Sequence, residues 1–375
     1  MKKIIRVALA IVLCLGVVGC GQGKQEEPDP TAGSNGQEQV SETTEAAREP
    51  LRVGVIYKGN LNDEGYNALF HKGVCEAAEE QEMEVTAFEG DGEEQWKNHV
   101  LAACKDGYDL IIGADPEIGS WIAEYAPDYP DAKFAVMDVT VPLTNVQSVY
   151  FEQREAYFLA GALAAMVTQT TELSGINEDA VIGWIGGMNL PVVQEYFAAF
   201  CHGATYINPE IQILESYAGS WSDVEEAKEV AMRQIEQGAD IFMNLTSAAG
   251  VGVLDAVKEH GLYVIAAEEL SGEEWKDVTI AEVTNAAERA GYQIVKDFGD
   301  GDLIGSMDRY LTMKEEAVKL ADTKLLRERI DEETMTEIEA TWKQLTKKLM
   351  GGEIIAGMPE TPEAATASDA AEKGK

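Results

Sequence analysis

From residue 52 onward, short apolar runs rich in Val and Ile alternate with longer stretches in which apolar side chains recur every three or four positions. Arg52-Val-Gly-Val-Ile-Tyr57 predicts a buried strand, and 64–81 predicts a helix through Leu69, Val74 and Ala77. Strands at 84–88, 110–113 and 134–138 then alternate with helices at 95–105 and 118–126. Strand–helix alternation through short connections predicts a parallel, doubly wound sheet, because each helix must carry the chain back across one face before the next strand begins.

A second series follows Val149-Tyr-Phe151 with the same logic. An apolar helix at 155–167 leads into strands at 181–185, 212–217, 241–245 and 263–267, separated by helices at 192–207, 223–237 and 250–260. A further strand at 278–283 and helix at 285–298 come next, and 310–321 returns toward the other half. The expected architecture is α/β, two Rossmann-like doubly wound lobes with a hinge and a central cleft. Residues 50–150, with about 279–302, are expected to form the first lobe; 151–278, with about 303–330, form the second. Residues 331–352 read as a terminal amphipathic helix with Met335, Ile338, Trp342, Leu345 and Leu349 on one side, and 353–375 as a disordered tail.

The first residues follow another pattern. Lys2, Lys3 and Arg6 precede an apolar run at 7–18, which ends in Val17-Val18-Gly19-Cys20. That run is short for a membrane span, so 1–19 reads as a lipoprotein signal peptide and Cys20 as the lipidated first residue of the mature chain, rather than as a transmembrane anchor. The Gln-, Glu- and Ser-rich stretch at 20–49 carries too little apolar surface to offset its ordering entropy and reads as a flexible acidic linker. The folded body is therefore expected outside the cytoplasmic membrane, held to the lipid bilayer through Cys20.

The formal net charge is −38 and becomes more negative once the signal is removed. Nucleic acid and anionic membrane surfaces are poor partners for such a chain. A solvated extracellular surface explains the charge more simply than selection of cationic ligands. Beyond Cys14 and Cys20 there are Cys75, Cys104 and Cys201, an odd number without C-x-x-C spacing. Buried free thiols are preferred to a Cys75–Cys104 bridge.

Signals for catalysis are weak. His71, His99, His202 and His260 are scattered without metal-ligand spacing, and there is no nucleophile elbow or phosphate loop. The turn Gly183-Trp-Ile-Gly186-Gly187 lacks the full dinucleotide pattern. No enzyme activity, cofactor or metal is expected; hydrolysis through Asp63 and Asp138 is the weakest alternative. Polar and aromatic residues instead cluster at the expected carboxyl ends of strands, where open α/β sheets bind ligands. These are Asn60-Leu-Asn-Asp63-Glu-Gly-Tyr66-Asn67, then Asp138, then Gly186-Gly-Met-Asn189 to Tyr196, then Glu268 and Glu269. Each has a structural alternative: Asp63 as a helix cap, Tyr66 as core. Trp184 is expected in the core, with Trp121 and Trp221 left between core and cleft.

Several of these pieces resemble the basic membrane protein family of substrate-binding lipoproteins, whose best-understood members are similar to purine-nucleoside receptors of ABC importers. The resemblance spans about 51–350 and is carried by Asn62-Asp-Glu-Gly-Tyr-Asn67, Leu110-Ile-Ile-Gly-Ala114, Phe134-Ala-Val-Met-Asp138, Phe158-Leu-Ala-Gly-Ala162 and Gly186-Gly-Met-Asn-Leu-Pro191. Gly238-Ala-Asp-Ile-Phe242 and Gly250-Val-Gly-Val253 add to it. It implies a type I periplasmic-binding-protein-like fold closing on a small ligand, an ABC permease as partner, and ligand contacts from Asp63, Tyr66, Asn67, Asp138, Tyr196, Gly250, Glu268 and Asn285. Tyr196 stands where the family has a base-stacking phenylalanine, and Glu268 where it has an aspartate.

The chain also departs from that pattern. Asn62 replaces an aspartate, Phe197 a polar residue, Ser247 and Ala248 two glycines, and Asn285 a lysine. Losing the lysine beside the remaining carboxylates predicts a more anionic cleft. The ligand expected is a nucleoside or modified nucleoside, or an amine-bearing or polyhydroxylated small molecule that partners those carboxylates. The alternative class is a signalling or surface-interaction lipoprotein whose cleft has diverged.

Overall fold

A computed structural model of the chain describes residues 50–62, 65–267, 273–322 and 324–358. The expected signal, Cys20, the linker and most of the expected tail lie outside the described residues, as do Asp63 and Glu268. The first half runs β1 (Arg52–Lys58), α1 (Tyr66–Glu80), β2 (Glu84–Gly90), α2 (Glu93–Lys105), β3 (Leu110–Gly113), α3 (Gly119–Tyr125), β4 (Lys133–Met137) and β5 (Val146–Phe151). The chain continues with α4 (Arg154–Val167), β6 (Val181–Gly186), α5 (Pro191–Ile207), β7 (Gln212–Tyr217), α6 (Val224–Glu236), β8 (Ile241–Leu245), α7 (Gly250–His260) and β9 (Tyr263–Ala267). The remainder is β10 (Thr279–Asn285), α8 (Ala287–Asp300), β11 (Asp308–Leu311), β12 (Val318–Asp322), α9 (Leu325–Arg329) and α10 (Glu332–Met350).

Two six-stranded sheets result, ordered β11-β5-β4-β3-β1-β2 and β12-β10-β9-β8-β6-β7. Every pairing is parallel except that of β12 with β10. Helices cover both faces, which is why the central strands read as near-continuous apolar runs: β3 and β6 are buried at every position. The edge strand β7 has no buried residue and reads as mixed. The α/β class and the two lobes agree with the expectation.

The lobe boundaries differ from those expected. The chain passes between lobes at three places: from β5 to α4, from β10 to α8, and from β11 to β12. The stretch 279–302 was expected in the first lobe, but β10 lies inside the second sheet between β9 and β12, its Thr279, Ile280, Ala281 and Val283 buried there. Only α8 crosses, laying its apolar stripe on α1. Conversely 303–330 was assigned to the second lobe, yet β11 pairs in parallel with β5 at the edge of the first sheet. Period and propensity identify a strand but not which sheet edge completes it, so these short late strands were assigned to the wrong lobes.

Two helix pairs stabilise the lobes through close glycine contact. On α4 and α5, a methyl at Gly161 would overlap the Phe200 carbonyl oxygen, and one at Gly203 would overlap that of Phe158. Gly73 on α1 and Gly291 on α8 make the same reciprocal arrangement in the other lobe. Trp184 is fully buried, packed against Tyr157, Phe197 and Phe200, as expected of a core residue. The three cysteines are free thiols; Cys104 is buried, Cys201 half-buried, and Cys75 exposed rather than buried. In α10, Met335, Ile338, Leu345 and Leu349 are buried, and the Asp331 carboxylate caps its start by accepting from the backbone N–H of Glu333 and Thr334. Among the described residues no helix is long and apolar enough to cross a membrane.

Candidate ligand-binding site

The carboxyl ends of the second sheet's strands surround a cavity of about 280 Å3. Leu245 ends β8, Ala267 ends β9, and Val283 and Asn285 end β10; each lines the cavity. Trp221, from the loop after β7, and Ser247, from the loop after β8, add to the wall. Gln153 and Tyr157 enter from the β5–α4 crossover and the first turn of α4. This is where open α/β sheets place ligands, since strand ends and helix starts converge there. A larger hollow of about 430 Å3 lies under α10, against β12 and the β11–β12 crossover. It arises from the seating of that helix and not from converging strand ends, so the smaller cavity is the better candidate.

The described lining is uncharged. It offers two carboxamides, Gln153 and Asn285, which each donate and accept, a serine hydroxyl, and the rings of Tyr157 and Trp221. Tyr157 is itself held: its ring stacks on Tyr196 at 4.7 Å and 19°, and meets Trp184 edge-on at 5.7 Å. Tyr196 is therefore second in line behind Tyr157, with one face already occupied. Burial raises the Tyr196 phenol well above its usual range, and the Asp138 carboxylate adds to the rise.

Asp138 sits just past β4 with φ +56°, a left-handed conformation that aspartate tolerates better than most residues. Its side chain opens to solvent but is crowded by surrounding protein, and this desolvation pushes its carboxyl up to about 6. It stands outside the cavity lining. At the β5–α4 crossover, Arg154 makes a two-pronged contact with Glu152 at 2.5 Å, lies 3.7 Å from Glu195, and stands 5.6 Å from the Tyr310 ring centroid. Tyr310 in turn stacks on Tyr150 at 5.3 Å.

The other expected contacts fall as follows. The buried Asn67 donates from its amide nitrogen to the carbonyls of Lys58 (2.8 Å) and Asn60 (3.3 Å), so it shapes the β1–α1 loop. Tyr66 is partly exposed and stacks on Phe70 at 5.8 Å. Gly250 is buried at the start of α7, its carbonyl accepting from Asn244 at 3.2 Å. Of the six expected contacts that fall within the described residues, Asn285 lines the cavity directly. Gln153 lies two residues past the end of β5 and could have been selected by the strand-end rule; Tyr157 was missed because it sits within an apolar helix. Trp221 does follow a strand, and the same rule that selected Asp138 could have selected it.

Ser247, where the resemblance implied a glycine, has φ +53°. Glycine adopts this conformation freely, whereas a side chain makes it costly. Among the described residues no group of His, Cys, Asp or Glu could hold a metal ion.

Residues 51–350 match the family described as ABC transporter substrate-binding protein PnrA-like, Bmp. The chain belongs to this family. A relative named CD4+ T-cell-stimulating antigen, from Listeria innocua, is 23% identical over 265 residues, 68% of each chain. The Lactococcus lactis protein named ABC transporter nucleoside-binding protein BmpA is 25% identical over 225 residues, covering 58% of this chain and 62% of its own. Among solved structures, an ABC transporter solute-binding protein from Aeropyrum pernix matches the fold with TM-score 0.55 and 23% identity, over 84% of this chain and 95% of that one. The Bmp family is one of solute-binding proteins rather than enzymes, and its members serve ABC transporters on the extracytoplasmic side of the membrane.

Proposed function

We propose that this Bmp protein captures a nucleoside or modified nucleoside between its lobes and delivers it to an ABC permease, tethered to the membrane by lipid at Cys20. The observation that carries the ligand class is the pairing of two rings with two carboxamides in the cavity's described lining at the ends of the second sheet. An aromatic face suits a planar base, and amides satisfy the mixed donors and acceptors of a base edge or a sugar. Its volume of about 280 Å3 lies just below the roughly 300–1,000 Å3 typical of ligand pockets, which suits a small ligand. Of the three carboxylates that would partner an amine ligand, Asp138 stands outside the lining, while Asp63 and Glu268 lie outside the described residues.

Native mass spectrometry of freshly purified protein, followed by calorimetry with guanosine, inosine, adenosine, ribose and spermidine, tests this reading. A co-purified nucleoside, or saturable binding of at least one, is expected. Binding of spermidine or ribose alone overturns the nucleoside reading, and no binding of any of them favours a signalling protein with a diverged cleft. The Cys20→Ser protein is expected to leave the membrane fraction; its retention there overturns the lipid anchor.

A further inference from the structure

The hollow under α10, about 430 Å3, shares no lining residue with the cavity at the strand ends. Its floor is apolar: Leu159 of α4, Met313 of the β11–β12 crossover, and Val318 and Leu320 of β12 are buried and line it. Its roof is a stripe of α10, Trp342, Thr346 and Met350, which are four residues apart and so share one helix face. Thr346 donates its hydroxyl proton to the Trp342 carbonyl at 2.9 Å rather than to the hollow. Trp342 and Leu320 also line a neighbouring hollow of about 340 Å3. A ring that only seated the helix would be enclosed, since interiors leave few voids larger than a water molecule, whereas this half-buried ring borders two hollows.

The charged groups stand at the rim. Lys319 is exposed on β12, the edge strand of the second sheet, and among the described residues its amine makes no ion pair. Arg289, at the start of α8, is held in place: its Nε donates to the Glu315 carbonyl at 3.2 Å, and its guanidinium lies 4.7 Å from the Tyr292 ring centroid. Glu316, the one acid of the described lining, comes no nearer than 4.0 Å to that Nε, and its side chain is 79% exposed, so solvent weakens the pairing. The described rim is therefore cationic on balance, in a chain whose formal net charge is −38.

We propose that this hollow is a second ligand site, apart from the cleft, and that it takes a small apolar carboxylate, its hydrocarbon part between the apolar floor and Trp342 and its carboxylate at the rim with Lys319 and Arg289. Charge complementarity selects the carboxylate: an amine would meet two like charges, and an uncharged chain would gain the floor without the rim. The volume falls within the roughly 300–1,000 Å3 of ligand pockets, and an apolar lining with a few convergent polar groups is their usual composition. The site goes beyond the nucleoside reading and does not depend on it.

Calorimetry on the full chain with octanoate, octylamine and octanol tests the proposal. Octanoate is expected to bind saturably and more tightly than the other two. Lys319→Glu, an exposed change whose folding is verified by a cooperative thermal transition, is expected to weaken octanoate on the order of tenfold, the size of one hydrogen bond to a charged group. Fluorescence locates the site: octanoate should change the tryptophan emission of the wild type, and that change should be lost in Trp342→Phe, which keeps an aromatic ring at the roof. Absence of saturable octanoate binding overturns the site. So does octanoate affinity unchanged by Lys319→Glu, or an emission change that persists in Trp342→Phe, because either places the ligand elsewhere. Octylamine or octanol binding as tightly as octanoate overturns the choice of a carboxylate. None of these measurements involves a cleft ligand, so their failure leaves the nucleoside reading standing, and a wild type that binds no nucleoside leaves this site standing.

Discussion

Replacing Ser247 by glycine tests whether the cavity loop stores backbone strain. Ser247 adopts φ +53° at the carboxyl end of β8 while lining the cavity. A non-glycine residue in this region costs roughly 1–2 kcal/mol. Glycine escapes that cost but gives back about 0.5–1 kcal/mol through its greater freedom in the unfolded chain. The net expectation for Ser247→Gly is a gain of about 0.5–1 kcal/mol. With a urea slope of about 3 kcal/mol/M, the unfolding midpoint should rise by roughly 0.2–0.3 M. Ser247→Ala is the necessary control, because it keeps the Cβ and its strain while losing the hydroxyl; its midpoint should stay near that of the wild type. Should the hydroxyl touch the ligand, both variants will lose affinity alike, by about 0.5–1.5 kcal/mol for one hydrogen bond. A Ser247→Gly protein no more stable than Ser247→Ala would refute the strain argument, whatever happened to binding.

Other consequences are equally direct. Asp240, fully buried, accepts from the Thr168 hydroxyl at 2.6 Å and from Asn177 N–H at 3.1 Å, and burial pushes its carboxyl up from 3.8 to about 6. The native state therefore holds this proton more tightly than the unfolded chain, so the stabilisation is full below about pH 3.8 and is lost as pH rises through about 6, a span worth up to roughly 3 kcal/mol. Asp240→Asn should flatten that part of the stability profile in urea unfolding from pH 4 to 7, and superimposable profiles would contradict it. Gly161→Ala, which drives a methyl into the Phe200 carbonyl oxygen, should lower stability by about 1–3 kcal/mol in thermal unfolding; an unchanged transition would mean that α4 and α5 can separate at no cost.

Most strands and helices were legible in the residues because parallel sheets bury both faces, and buried strands are written as unbroken apolar runs. Residues 212–217, 241–245 and 263–267 match β7, β8 and β9 to the residue. What was not legible depends on pairing. The four residues of β11 carry a polar pattern of their own and join the first sheet only because an edge of β5 is open to them. The site divides along the same line. Ser247 and Asn285 stood out in the sequence as departures at strand ends, and both line the cavity. Tyr157 was invisible, since a tyrosine in an apolar helix such as α4 reads as core, and by burial it is core; its contribution comes from the rim left open to the cavity. Of the three carboxylates behind the expectation of an anionic cleft, Asp138 stands outside the cavity lining, and Asp63 and Glu268 lie outside the described residues.

The placement of the amides ties this cavity to lobe movement. Gln153 belongs to the first crossover and Asn285 ends β10 immediately before the second, so two of the polar groups facing the cavity sit on segments that must change if the lobes rotate. The third crossover is bound to the first: Met313 N–H donates to the Glu155 carboxylate at 2.7 Å, and burial pushes that carboxyl up to about 6. On the proposed reading, a ligand held by Gln153 and Asn285 would bear on two of the crossovers, and a preference for one lobe angle would arise from the geometry of those two amides. Differential contact of this kind is what a binding event needs to shift a conformational equilibrium. Contacts confined to the outer lobe surfaces would bind without biasing the angle. If the ligand is captured there as proposed, the cavity's position beside the crossovers would give a physical route from capture to a change in lobe angle.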